Sequence, residues 1–96
     1  MDAEEKLIHQ AKKAEKSGNH RAARRIILTV IMENPMNEEA WFFLSEVADN
    51  LKLRRACLEQ VLDINPNNKD ARLQLSKIDG KKPLDSWKFE NVYDVV

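Results

Sequence analysis

Glycine occurs twice, proline three times, cysteine once and histidine twice in these 96 residues, and acidic and basic residues balance at 16 each. Each scarcity excludes a class of function. Two glycines, Gly18 and Gly80, are too few for a phosphate-cradling loop. A lone Cys57 rules out an internal disulfide and fits a reducing compartment. His9 and His20 have neither a cysteine nor a carboxylate at metal-ligand spacing and are expected to be solvated. No Ser, His and Asp combination stands out, so neither an enzyme nor a cofactor is expected. Zero net charge supplies no overall field toward nucleic acid or an anionic membrane. No apolar run approaches the ~20 residues of a membrane span. The stretch Met1 to Lys6 lacks the apolar core of a signal peptide. A soluble cytoplasmic protein is the expectation, with one domain and a stability of roughly 5 to 10 kcal/mol.

What the chain does have is apolar residues at helical spacing almost throughout. Asp2, with Glu5 three residues on, has the form of a capping box for a first helix with the stripe Leu7, Ala11 and Ala14. Ser17-Gly18-Asn19 closes it, because Gly accepts the left-handed conformation and Asn caps the next helix. The second helix, from about His20 to Glu33, buries Ala23, Ile26, Ile27 and Val30, and Pro35 stops it. The third starts near Asn37, with Glu38 and Glu39 at the positive end of its dipole and the stripe Trp41, Leu44, Val47 and Ala48. Asp49-Asn50 turns into a fourth helix burying Leu53, Cys57, Leu58, Val61 and Leu62, which ends at Asn65-Pro66. The fifth, Lys69 to Asp79, has the thinner stripe Ala71, Leu75 and Ile78 of a cap, and Gly80 closes it. Cys57 falls on the buried stripe, where packing outweighs reactivity.

The punctuation repeats. Asn34-Pro35 recurs as Asn65-Pro66, and the segment from Asn37 is read again from Asn68. Leu7 to Trp41 and Ala11 to Ser45 are 34 apart, whereas Leu44 to Leu75, Ser45 to Ser76 and Pro35 to Pro66 are 31 apart. Paired helices at this period, with Leu7, Ala11, Gly18, Ala23, Val30 and Pro35 in one unit and Trp41, Leu44, Ser45, Val61 and Pro66 in the next, resemble the tetratricopeptide repeat. The resemblance covers roughly residues 4 to 79. It implies an all-α, short solenoid of about five antiparallel helices, two degenerate repeats and a capping helix, over residues 1–80. The second unit is three residues short, a deficit expected in the turn around Asp49 to Leu53, and it carries Arg54 where a small crossing residue is usual. A generic helical bundle is the rival architecture.

The resemblance further implies a shallow concave face, formed mainly by the first helix of each hairpin, that holds a peptide or another helix. Ile8, Phe42 and Leu73 occupy equivalent places just off the core stripe, and Lys12, Glu46 and Lys77 lie one turn on. Phe43 is a further candidate, although two consecutive bulky residues cannot both point away from the core. The competing reading is that Phe42 and Phe43 complete the core. Relatives that clamp the carboxylate end of heat-shock chaperones use Lys, Asn and Arg here. Ile8, Lys12, Phe43 and Gln74 occupy those places, with Lys77 the one cation nearby, which argues against that role. An apolar ligand with few charges is expected.

Two basic clusters, Arg21, Arg24, Arg25 and Lys52, Arg54, Arg55, could share a convex side and attract a nucleic-acid backbone. Balanced charge, absent aromatic interleaving and i,i+4 pairs such as Arg55 with Glu59 favour a solvated face instead. Residues 81–96 form an apolar-rich tail or linker without a helical stripe, in which Trp87, Phe89 and Tyr93 are the candidate anchors. Three destinations compete for the tail, namely its own domain, a second copy or partner, or the first strand of a further domain, and the one expected is the row Ile8, Phe42 and Leu73, in cis or in a neighbouring molecule. The function expected is a protein-interaction adaptor or scaffold. The alternatives are an accessory or regulatory domain of a larger signalling or enzymatic assembly and, third, a nucleic-acid-binding helical hairpin array.

Overall fold

The computed structural model describes residues 2–80. Five helices make up 80% of them, and among the described residues there is no strand. The helices are α1 (Ala3–Lys16), α2 (His20–Glu33), α3 (Glu38–Val47), α4 (Leu51–Ile64) and α5 (Lys69–Asp79).

An Asx side chain opens every helix. Asp2 accepts from the Glu5 amide at 2.8 Å, Asn19 from Ala22 at 3.2 Å, Asn37 from Ala40 at 3.0 Å, Asn50 from Leu53 at 2.7 Å and Asn68 from Ala71 at 2.9 Å. Each bond satisfies one of the amides that a helix start leaves without an internal partner. At the end of α1, Gly18 has φ +84°, the Asn19 amide reaches the Ala14 carbonyl and the Gly18 amide that of Glu15. That pair of bonds is the Schellman closure, which requires the left-handed residue Gly18 supplies. The exits of α2 and α4 are copies of one another. Asn34 and Asn65 donate to the carbonyls of Val30 and Val61, each at 2.8 Å, and each is followed by proline.

Extensive helix contacts run between chain neighbours: α1 with α2, α2 with α3, α3 with α4 and α4 with α5. The core divides into two clusters. The larger gathers Ile8, Ala11, Ala23, Ile27, Val30, Ile31, Ala40, Phe43, Leu44 and Cys57. The smaller holds Leu58, Val61, Ala71 and Leu75. Trp41 packs against both and donates its indole N–H to the Pro35 carbonyl at 2.7 Å. It is therefore half-buried at the seam rather than enclosed in the core.

Several expectations need correction. Ile8 is 3% exposed and lies deeper than Leu7, so α1 is rotated from the expected register and Ile8 belongs to the core. Phe43 is likewise core, and Phe42, on the neighbouring spoke of α3, is half-buried. Leu53, expected inside, is 36% exposed. The three-residue deficit lies in α3 itself, which has 10 residues against 14 in α1, 14 in α2 and 14 in α4. The missing piece is the last turn of α3, and the first turn of α4 is the more open one: Leu53 is exposed and Arg54 half-buried where Ala22 is half-buried and Ala23 buried. Arg55 pairs with Asp79 of α5, a tertiary partner, instead of Glu59.

Candidate partner-binding groove

Two carboxylates tie each helix pair to the turn that follows it. Glu4 Oε1 accepts from the Asn34 amide at 2.9 Å and from Asn37 at 2.7 Å. Glu38 Oε2 accepts from Asn65 at 3.0 Å and Asn68 at 2.6 Å. Glu4 and Glu38 are 34 residues apart, and the asparagines 31, the same two spacings as the apolar repeat. Each asparagine uses its oxygen locally, for a cap or for the Asn-Pro turn, and spends its amide N–H on the carboxylate. A charged acceptor shared by two half-buried amides makes stronger bonds than neutral pairs do. The clamps thereby fix the α2–α3 turn against the start of α1 and the α4–α5 turn against the start of α3. The spacing was visible in the sequence, but the asparagines alone suggested only caps.

Beside the second clamp lies an open hollow of about 640 Å³, lined from α1 by Lys12, from α3 by Glu39, Phe42 and Glu46, and from the start of α5 by Asp70. Lys12 Nζ reaches across to Glu39 Oε2 at 2.8 Å. Phe42 and Glu46 also border a second hollow of about 210 Å³, with Ser45, Arg54, Leu58 and Gln74. Ile8 and Lys12 border a third, of about 240 Å³, with Glu5, His9 and Glu39. The Glu46 carboxyl lies above its ordinary pKa because burial disfavours its charged form, an effect that the Lys12 charge partly offsets.

Of the residues expected in a groove, Lys12, Phe42, Glu46 and an edge of Ile8 come together here. Leu73 and Lys77 are exposed on α5 and stand outside these hollows, and Phe43 faces the core. Glu39 and Asp70, which line the groove, were not foreseen. Each sits two residues past a cap, Asn37 or Asn68, a place that reads from sequence only as favourable to the helix dipole. The expected alternation of charge gives way to a predominantly acidic rim. Trp87, Phe89 and Tyr93, and with them the expected docking of the tail, lie outside the described residues.

The basic side chains do not act as one patch. Arg24 donates to Asp49 at 2.8 Å, which holds the Asp49 carboxyl below its ordinary pKa. Arg55 is engaged by Asp79, and half-buried Arg54 turns toward Phe42 and Glu46, with its Nε buried and lacking a hydrogen-bond partner. His20 Nδ1 lies 2.8 Å from Glu15 Oε1. Burial pushes the Cys57 thiol up to about 11. Among the described residues no group of three or more His, Cys, Asp or Glu could hold a metal ion, and no helix is long and apolar enough to cross a membrane. In comparisons with known proteins, no family model, curated protein or solved structure matches the chain.

Proposed function

We propose that this chain is a cytoplasmic protein-interaction adaptor of tetratricopeptide type, a short solenoid in which α1–α2 and α3–α4 are antiparallel hairpins and α5 is the cap. The doubled Glu–Asn clamp supports the repeat reading, since it recurs at the same two spacings as the apolar residues. Lys69 stands on α5 where Glu4 and Glu38 stand on α1 and α3, so the clamp position itself carries no carboxylate there. Successive hairpins without a common superhelical sense in a crystal structure would remove the family reading.

The ligand is a peptide or helix that lays an apolar side chain on Phe42 and brings a cation to Glu46. One observation carries this: Phe42 and Glu46 border two adjoining hollows, so they sit at the centre of a continuous face that α1, α3 and α5 build together. Among the described residues Glu46 has no hydrogen-bond or ion-pair partner, although its charge is partly desolvated, and a cation on the ligand would relieve that cost. Selection of a displayed peptide library against the wild type and against Phe42→Ser and Glu46→Lys tests the reading. Enriched peptides should pair a bulky apolar residue with Lys or Arg, and Phe42→Ser should weaken them by about tenfold or more. Peptides that bind both variants as they bind the wild type would show that this face is not used.

A further inference from the structure

We propose that a second surface, where α2, α3 and α4 meet, docks an acidic peptide segment that carries a bulky apolar anchor. It does not depend on the groove above, because it uses other side chains. Leu28, Leu44 and Leu53 floor an open hollow of about 480 Å³, and Arg21, Arg24 and Arg25 rim it. Leu44 is buried at the bottom, whereas Leu28 and Leu53 are 45% and 36% exposed.

Its origin lies in the shortened α3. Leu53 occupies the place that Ala22 holds one repeat earlier, 31 residues before it. A leucine where the first unit has an alanine enlarges the apolar surface, and the missing turn of α3 leaves it uncovered. The chain's own core therefore does not account for this side chain. Uncovered apolar patches rimmed by polar groups are characteristic of interaction sites.

The rim selects the sign of the partner. Arg21, Arg24 and Arg25 are spaced i, i+3 and i+4, which puts them on one face of α2. Arg24 is held by Asp49 at 2.8 Å. Arg21 and Arg25 are exposed, and no carboxylate among the described residues comes within ion-pair distance of either. Guanidinium groups bind carboxylates through paired, charge-assisted hydrogen bonds, so the complementary ligand brings acidic side chains to the rim. A nucleic-acid backbone would satisfy the arginines but not the floor, because it has no aliphatic side chain to bury and the hollow offers no aromatic ring for base stacking. An acidic peptide with a leucine or tryptophan meets both demands.

The probe is a short fluorescein-labelled peptide with one tryptophan and two leucines among glutamates, titrated into the full chain and followed by anisotropy and by amide chemical-shift mapping. Saturable binding that weakens with salt, with shifts centred on Arg21, Leu28 and Leu53, is expected. Replacing the tryptophan and leucines of the probe with alanine should weaken it about tenfold, as should Arg21→Glu with Arg25→Glu in the protein. Both arginines are exposed, so the double variant should keep the wild-type circular dichroism spectrum, and mapping on the wild type needs no variant at all. Glu46→Gln, in the other groove, should leave this binding unchanged. Equal affinity for the alanine probe, tighter binding of a DNA oligonucleotide with the same arginine dependence, or shifts that centre on Phe42 and Glu46 would each overturn the proposal.

Discussion

The first helix pair, α1 and α2, and the second, α3 and α4, share residues at matching spacings, and they differ most where α3 stops a turn early. Ala23, Ile26, Ile27 and Val30 in the first correspond to Arg54, Cys57, Leu58 and Val61 in the second. Ile27 and Leu58 are both wholly buried, as are Val30 and Val61. At the place of a wholly buried alanine, Ala23, the second pair instead carries half-buried Arg54. The middle and far end of the unit are thus preserved, while the near end has been opened. At that end Leu51 and Leu53 are exposed and Arg54 is half-buried, and the second core cluster is the smaller of the two. The shorter α3 thus keeps its contacts with α2 and α4, and the difference falls at the end away from the Glu38 clamp.

The largest test of this comparison is at the shared centre. Ile27→Ala and Leu58→Ala should each cost about 2 to 5 kcal/mol in urea unfolding, with Ile27→Ala the costlier because its richer surroundings relax less around a cavity. A greater loss at Leu58 would mean that the shortened pair is the better packed. Trp41 joins the two clusters while keeping part of its ring in water. Trp41→Ala should therefore cost about 3 kcal/mol, toward the low end for large aromatic truncations.

The clamps come next. Glu4→Ala and Glu38→Ala each strip an acceptor from two asparagine amides and should each cost about 1 to 3 kcal/mol. Since the bonds match, the two losses should agree closely, and a wide gap in thermal unfolding would show that one copy is ornamental to its pair.

Cys57 replaces Ile26 and so gives the second pair a titrating group. Its folded pKa is raised from about 9 to about 11, so the native state retains the proton after the unfolded chain has lost it. Its contribution is intact below pH 9 and disappears as pH rises toward 11. Stability measured across that window should fall less in Cys57→Ala than in the wild type, and alkylation should require unfolding. The smallest effect belongs to Arg54→Ala. It restores the small residue of the first pair and removes a buried Nε that has no partner, at the cost of the aliphatic stem's packing, so the net change should stay within about 1 kcal/mol. A loss clearly above that would reveal a role for the guanidinium.

Much of the fold was legible because helix starts and stops are local. Asn19, Asn37, Asn50 and Asn68 announce their caps within three residues, and Pro35 and Pro66 act on the residue before them. The rotation of a helix about its axis is not local. Leu7 and Ile8 are adjacent, apolar and equally compatible with a stripe, and packing into the larger core cluster decided that Ile8 is the deeper. The groove was legible in part for the same reason. Phe42 and Glu46 followed from repeat register, whereas Glu39 and Asp70 entered it from helix starts that meet only after the helices pack.

The sequence by itself determined that the described chain is helical, where its five helices begin, and that matching apolar and capping residues lie 34 and 31 apart, because capping, proline sterics and apolar period act over a few residues. Only the tertiary structure decided which carboxylate holds which asparagines, that Arg55 answers Asp79, and that Leu53 is left facing solvent. Those outcomes depend on distances between segments some 24 to 33 residues apart, and a side chain's burial is set by what packs over it, here by a turn that α3 does not have.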